Sequence, residues 1–285
     1  MATESNIDAF LPPEMANRAE SIGIRKAKLD FWSMFALAIL AGAFIAMGAV
    51  FATTTAAGAG DKLPYGIVRL LSGLTFTLGL IMVVVAGSEL FTGNNLIVMA
   101  WASGKVSTTA LLRNWLIVYV GNFVGSIATA ILMLLSKQYS FGTGAIGSTA
   151  LSIANTKCGF SFIQAVALGI FCNALVCIAV WLCFSARSTT DRILAIIPPI
   201  AAFVAAGFEH SVANMYFIPI GLLIKDFADP KFWTTIGKTA ADFTNLTWSN
   251  FFIANLLPVT IGNIIGGAGM VGLLYWFIYL RTKPK

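Results

Sequence analysis

The sequence predicts an all-α membrane protein with six transmembrane helices, arranged as two inverted halves of three. Hydrophobic residues make up 58% of the 285 residues and charged residues only 11%, whereas a soluble domain carries about 25% charged residues. Six apolar blocks are long enough to cross a bilayer, and a short motif recurs in both halves of the chain. Because a surface of this composition must face lipid, soluble enzymes and nucleic-acid-binding proteins are excluded.

The order of the elements follows from where the charges and apolar blocks lie. A polar N-terminal arm at 1–30 precedes a single transmembrane domain at 31–280, with repeat halves at about 31–135 and 162–280 and a short tail at 281–285. About 20 apolar residues suffice for one span. The predicted spans are 31–53, 66–86, 111–135, 162–184, 193–223 and 252–280.

The basic residues predict the orientation of these spans. More than half of the 18 Lys and Arg residues lie in the N-terminal arm, the tail and the connections on the same side of the membrane. Cytoplasmic segments carry an excess of Lys and Arg. Both termini are therefore expected in the cytoplasm.

Two sequence motifs recur in both halves of the chain, which indicates an internal repeat. Residues 87–94 read GSELFTGN and residues 207–214 read GFEHSVAN, so both follow G-x-E-x-x-x-x-N at a spacing of 120 positions. Residues 114–125 and 255–266 share N-x-L-x-V-x-x-G-N-x-x-G. Three spans per half is an odd number, so the second half enters the membrane from the opposite side. Such inverted repeats place the functional site at the interface of their halves.

The first motif predicts that the second and fifth helices are broken inside the membrane. An ionisable residue at membrane depth faces the protein interior or a watery cavity, and each motif contains one glutamate. We expect each helix to stop at the motif glycine and restart near the motif asparagine, with Thr92 and Ser211 as N-caps. The residues given this structural role are Glu89, Glu209, Gly87, Gly207, Asn94 and Asn214.

The glutamates have two interpretations. They could contact the substrate directly, or they could accept hydrogen bonds from loop and helix-end amides and so hold the break. The second is favoured, because carboxylates in a pore repel anions. The restarted half-helices would point their N-termini, each about half a positive charge, at the protein centre.

His210 is the only histidine in the chain. It could be a buried neutral imidazole that shapes the break. It could also donate a hydrogen bond or a proton to a passing weak-acid anion, since its reference pKa is about 6.5. Its position inside the second motif favours the functional interpretation.

Other polar and apolar residues near the breaks also have two interpretations. Asn173 and the other intramembrane asparagines are expected to bond between helices. The large apolar residues near the breaks are either ordinary core or a constriction that excludes hydrated ions. These apolar residues are Phe76, Leu80, Leu90, Phe91 and Phe203.

These segments together resemble the formate/nitrite transporter family, and most closely its formate-channel branch. The resemblance is carried by residues 207–215, 90–92 and 261–267, and by 11–16 and 224–233 near the ends of the chain. It implies an aquaporin-like fold, a homopentamer with one pore per protomer, and a bacterial inner membrane. It further implies that His210 and Thr92 face the substrate mid-pore, that Asn173 lies nearby, and that Lys157 raises the anion concentration in an outer vestibule.

The sequence is therefore interpreted as a pH-dependent channel or transporter for formate rather than an enzyme, with formate moving either passively or together with a proton. Nitrite or hydrosulfide conduction stays open as an alternative within the same family. A neutral-solute pore is disfavoured because the Asn-Pro-Ala pair of aquaporins is absent. A membrane enzyme or a structural subunit with a buried polar cluster is the alternative from another class. No cofactor and no metal site is expected.

Overall fold

The computed structural model describes residues 9–281 of the chain. The beginning of the predicted N-terminal arm (1–8) and the end of the predicted tail (282–285) lie outside the described residues. Within the described range the chain is helical and has no strand. Six helices are long and apolar enough to cross a membrane, which confirms the predicted fold class.

The helices follow one another along the chain with short connections. An N-terminal helix α1 precedes the first span, and shorter helices lie between the spans. The bounds are α1 Pro12–Ala27, α2 Phe31–Ala56, α3 Tyr65–Ala86, α4 Phe91–Asn94, α5 Val98–Ala102, α6 Thr108–Leu135, α7 Ala145–Lys157, α8 Phe162–Ser185, α9 Thr189–Ala206, α10 Ser211–Phe227, α11 Pro230–Ile236 and α12 Trp248–Tyr279. Helices α2, α3, α6, α8, α9 and α12 are the six candidate spans.

Polar caps start several of the spans. The side chain of Asp30 accepts the N–H of Ser33 at 3.0 Å where α2 begins. Ser107 and Ser161 accept the third N–H of α6 and α8 in the same way. Because the first four N–H groups of a helix have no partner within it, such caps define where each span begins.

Glycines of the repeated motif N-x-L-x-V-x-x-G-N-x-x-G let the spans approach closely. Helix α6 meets α2 at Gly125, where an added Cβ would overlap the carbonyl oxygen of Ile39. Helix α12 meets α8 at Gly266, where an added Cβ would overlap that of Ile170. Small residues at such crossings allow the backbone-to-backbone packing that associates helices in lipid. The second repeated motif therefore places equivalent close helix contacts in the two halves.

Both breaks are present. Helix α3 ends at Gly87 with φ 83°, and α9 ends at Gly207 with φ 79°. Only glycine adopts this left-handed conformation without penalty. Helix α4 restarts at Phe91 and α10 at Ser211.

The helices restart three residues before Asn94 and Asn214, and the predicted N-caps were wrong by two residues in the first break and by one in the second. The N-caps are Leu90 and His210, not Thr92 and Ser211. The His210 imidazole itself accepts a first-turn N–H, so no hydroxyl is needed for that cap. Thr92 lies within α4, which leaves its hydroxyl available for another partner.

Candidate functional site

The first break is held by a polar cluster centred on Glu89. Its carboxylate accepts from Lys26 Nζ at 2.6 Å and from Asn94 Nδ2 at 2.7 Å. Asn94 Nδ2 also donates to Asn114 Oδ1 at 2.9 Å, and Asn114 Nδ2 donates to the carbonyl of Lys26 at 3.2 Å. The cluster therefore ties α1 and α6 to the break in the second helix.

The second break is held by the same cluster built from the other half. Glu209 accepts from Lys157 Nζ at 2.6 Å and from Asn214 Nδ2 at 2.7 Å. Asn214 Nδ2 donates to Asn255 Oδ1 at 2.7 Å, and Asn255 Nδ2 donates to the carbonyl of Lys157 at 2.9 Å. The correspondence is residue for residue, as an inverted repeat requires.

These contacts refine the expected role of the glutamates. Their carboxylates accept from a lysine and from asparagine side chains rather than from loop or helix-end backbone amides. The sequence interpretation missed Lys26, which was counted only as one of the basic residues of the arm. The signal that could have found it is symmetry: Glu209 has Lys157, so Glu89 needs an equivalent cation.

One buried asparagine binds the backbone of each break, Asn122 in the first and Asn263 in the second. Asn122 Oδ1 accepts the N–H of Phe91 at 2.9 Å, and its Nδ2 donates to the Glu89 carbonyl at 2.9 Å. Asn263 Oδ1 accepts the N–H of Ser211 at 2.9 Å, and its Nδ2 donates to the Glu209 carbonyl at 3.0 Å. Because a buried, unpaired backbone group is costly, these amides make the irregular segments tolerable at membrane depth.

The two breaks meet at Thr92 and His210. Thr92 Oγ1 lies 2.9 Å from His210 Nε2, and both side chains are buried. The N–H of Ala213 donates to His210 Nδ1 at 3.0 Å. Since Nδ1 is thereby an acceptor, the neutral ring carries its hydrogen on Nε2, which points at Thr92.

The imidazole links the N-terminus of α10 to Thr92 through two successive hydrogen bonds. A first-turn N–H of the helix donates into one ring nitrogen, and the other nitrogen donates onward. Hydrogen bonds in such a chain polarise and strengthen one another. The N–H groups of Ser211 and Ala213 are occupied by protein acceptors, and the donor that this break directs at Thr92 is Nε2 of His210.

Two cavities approach this point from opposite ends. The α1-side cavity, about 610 Å³, is lined among others by Arg18, Lys26, Glu89 and Leu90. The Lys157-side cavity, about 530 Å³, is lined among others by Arg69, Lys157, Glu209 and His210. They share no lining residue. Thr92 is fully buried between residues that line the first cavity and His210, which lines the second.

Four of the five predicted constriction residues line the cavities. Leu80 and Leu90 line the α1-side cavity, while Phe76 and Phe203 line the other. The Phe76 and Phe203 rings meet edge to face at 5.6 Å, and Phe203 stacks on His210 at 5.9 Å. Phe91 lines neither cavity.

Phe91 and Asn173, which were predicted at the constriction and near the substrate, contact the surrounding protein instead. The Phe91 ring packs edge to face on Tyr119 of α6 at 4.9 Å. Asn173 is fully buried, and its Nδ2 lies within 2.7 Å of the Asn263 carbonyl and 3.3 Å of the Thr92 carbonyl. Asn173 therefore holds the backbone behind Thr92, and its amide group is occupied by protein acceptors.

The charge of the Lys157-side cavity differs from the expectation. Lys157 is paired with Glu209 at 2.6 Å, so its charge is largely compensated. Arg69, which the sequence interpretation did not single out, supplies a further cation there. Its guanidinium donates to the carbonyls of Val204 and Ala205, at the end of α9.

Removing the charge of Glu209 should destabilise the protein more than removing the charge of Glu89. The Lys157 side chain is 15% exposed and the Lys26 side chain 28%. Removing one partner of a buried pair costs about 3–5 kcal/mol because the other charge stays buried. We therefore expect Glu209→Gln to lower the melting temperature of the purified protein more than Glu89→Gln does.

The exposed Asp226→Asn is the matched control for this comparison and should melt as the wild type does. The readout is the fraction of detergent-solubilised protein that still elutes as a single species after heating. Equal melting of Glu209→Gln and wild type would contradict a structural role for the carboxylate.

Comparison with known proteins places the chain among transporters. A model of the family described as formate/nitrite transporter matches residues 13–277. The chain is 48% identical over 283 residues to the protein named formate channel FocA of Escherichia coli (strain K12), covering 99% of both chains. It is 42% identical to the protein of the same name from Haemophilus influenzae, covering 95% of both.

Solved structures agree with these matches. One described as a pentameric formate channel with formate bound superposes with a TM-score of 0.84 at 48% identity, covering 88% of this chain and 98% of the other. A second, described as an FNT family ion channel, gives a TM-score of 0.78 at 28% identity, covering 93% and 98%.

Proposed function

The chain belongs to the formate/nitrite transporter family, and from that membership we propose that it is a channel for formate. The observation that carries the proposal is the 2.9 Å contact between Thr92 and His210, where two helix breaks meet between two opposed cavities. The matched relatives and the family description are those of channels and transporters, so the chain is not an enzyme.

The proposed path leads from one cavity to the other through the two breaks. Formate enters the Lys157-side cavity and loses water where Phe76 and Phe203 meet. Taking a carboxylate out of water costs several kcal/mol. The Nε2–H of His210 and the hydroxyl of Thr92 offset part of that cost, because hydrogen bonds to a charged acceptor are about twice as strong as neutral ones. The anion then passes Leu80 and Leu90 into the α1-side cavity.

Formate crosses as the anion in this proposal. A proton can leave Nε2 for formate only if Nδ1 gains one, and that gain would displace the N–H of Ala213 from its acceptor. Proton-linked movement is the second candidate, favoured by the short contact between the Thr92 hydroxyl and the ring. A pH-sensitive dye inside proteoliposomes separates the two, since only proton-linked entry acidifies the lumen in step with formate.

The chain is a multi-pass membrane protein. We place it in a bacterial inner membrane, as a homopentamer, with both termini in the cytoplasm. The support for the orientation is the concentration of basic side chains on the side where α1 lies. The support for five protomers is the pentameric relative, described as a formate channel, with which the fold superposes at a TM-score of 0.84.

Flux of isotopically labelled formate into proteoliposomes tests the proposal. We expect uptake well above that of protein-free liposomes, and competition by nitrite and hydrosulfide weaker than by unlabelled formate. Chloride should not compete. Absence of formate uptake by folded protein would contradict the proposal, and stronger competition by nitrite or hydrosulfide would move the assignment to that anion.

A further inference from the structure

The α1-side cavity carries more positive charge than the Lys157-side cavity does. Among the residues that the structure describes, its lining contains four cationic side chains and one carboxylate, Glu89. The cations are Arg18, Arg25, Lys26 and Arg192. The Lys157-side cavity, of similar volume, contains two cations among its described residues, Arg69 and Lys157, again with one carboxylate. The two halves therefore differ here, although they match at the breaks.

The four cations differ in their hydrogen-bond and ion-pair partners. Lys26 is neutralised by Glu89 at 2.6 Å. Arg18 donates to the carbonyls of Phe184 and Ala186 at 3.1 and 3.3 Å, but no carboxylate of the described residues pairs with it. Within residues 9–281, Arg25 and Arg192 have no ion-pair partner.

The inverted repeat identifies which cations are surplus. Lys26 corresponds to Lys157, because each binds the glutamate of its break. Arg192 corresponds to Arg69, because each lines a cavity beside the end of the opposite broken helix. Arg69 donates to two carbonyls there, whereas no hydrogen bond joins the Arg192 side chain to another residue within 9–281. Arg18 and Arg25, on α1, have no counterpart in the other cavity.

Like charges held together in this way are unfavourable. Burial, and then the charges of Arg192, Arg187 and Arg25, lower the pKa of Arg18 from its usual value. A guanidinium cluster on two separate elements, α1 and α9, gains most from an acceptor with several oxygens. Arginine forks match phosphoryl and carboxylate groups with two parallel hydrogen bonds, which lysine cannot do.

We propose that the α1-side cavity binds a phosphoryl anion between Arg18 and Arg25 of α1 and Arg192 of α9. The volume of about 610 Å³ is in the range of small-molecule sites, about 300–1,000 Å³. The bound anion bridges α1 to α9 and fills the approach to Leu90, so it closes this end of the path to formate. The same phosphoryl chemistry is offered by a soluble polyphosphate and by the headgroup of an anionic lipid.

Calorimetric titration of pyrophosphate into the full-length protein, held in nanodiscs of zwitterionic lipid, tests the site. We expect one anion bound per chain. The double variant Arg25→Gln/Arg192→Gln should bind about a hundredfold more weakly, because each of the two lost charge-assisted pairs is worth roughly a factor of ten. The matched control is Lys28→Gln, which removes an exposed charge at the end of α1 outside the cavity and should bind as the wild type does.

A second arm distinguishes the two sources of the phosphoryl group. In nanodiscs that contain phosphatidylglycerol, a lipid headgroup in the site would weaken pyrophosphate binding to the wild type. Native mass spectrometry should then find that lipid retained by the wild type and lost from the double variant. A soluble ligand predicts equal pyrophosphate affinity in both discs.

The proposal is overturned if pyrophosphate does not bind and no phosphatidylglycerol is retained, or if the double variant binds like the wild type. Both readouts measure binding rather than transport, so they stand whether or not formate flux is observed.

Discussion

Replacing His210 with asparagine will cut formate flux about tenfold or more while leaving the protein folded. Asparagine is a strong N-cap and can accept the N–H of Ala213 in place of Nδ1. Its side chain is shorter than an imidazole, however, and does not carry a donor to the position of Nε2, 2.9 Å from Thr92. A hydrogen bond to a charged group is worth about 1.5–3 kcal/mol, and roughly 1.4 kcal/mol corresponds to a factor of ten.

Two further variants separate this effect from loss of structure. His210→Ala removes both the cap and the donor, so it should lose stability as well as flux. Thr92→Val keeps the shape of the side chain and the His210 cap but removes the hydroxyl that meets Nε2, so it should lose flux with a smaller loss of stability than His210→Ala. Formate uptake in proteoliposomes and melting in detergent are the two measurements. Flux of folded His210→Asn within twofold of wild type would remove His210 from the proposed path.

Gly125→Ala will prevent accumulation of folded protein. A Cβ at Gly125 would overlap the Ile39 carbonyl oxygen and lie 2.9 Å from its carbonyl carbon, so α6 and α2 would have to separate. Forcing one extra carbon into a packed interior costs about 1–3 kcal/mol, and more when the obstacle is backbone. The displaced helix also carries Asn122, which braces the first break, so the separation would loosen the site.

The control for this prediction is Gly269→Ala in α12, where an added Cβ meets nothing within 4 Å. Size-exclusion chromatography of the solubilised proteins compares the two. We expect a normal single peak for Gly269→Ala and little or no such peak for Gly125→Ala. A wild-type elution profile and melting temperature for Gly125→Ala would show that the helices do not meet as described.

The sequence predicts this fold well because its main determinants are local. Apolar block length sets the spans, the motif glycines end the broken helices, and the recurrence of G-x-E-x-x-x-x-N indicates the inverted repeat. The position of the restart is less local. His210 serves as the cap of α10 because its ring reaches back to the N–H of Ala213, and no propensity for the N-cap position predicts that.

The site was less predictable, since its partners come from distant parts of the chain. Lys26 reaches Glu89 from α1, across 63 positions. Lys157 reaches Glu209 from the end of α7, a helix that the hydropathy pattern did not predict. Phe91 follows directly after Leu90, but Leu90 is the extended N-cap and Phe91 the first residue of α4, so the Phe91 ring packs on α6 while Leu90 lines a cavity. Periodicity alone does not say which face is the pore.

The most direct test of the central claim uses the fact that His210 is the only histidine. The claim is that the two breaks present a neutral imidazole, with hydrogen on Nε2, to an anion beside Thr92. Nitrogen-15 NMR of histidine-labelled protein in lipid reports both ring nitrogens without overlap. The account predicts one unprotonated nitrogen, Nδ1, and one protonated nitrogen, Nε2, whose signal moves when formate is added. Hydrogen on both nitrogens, or a spectrum that formate leaves unchanged, would contradict it.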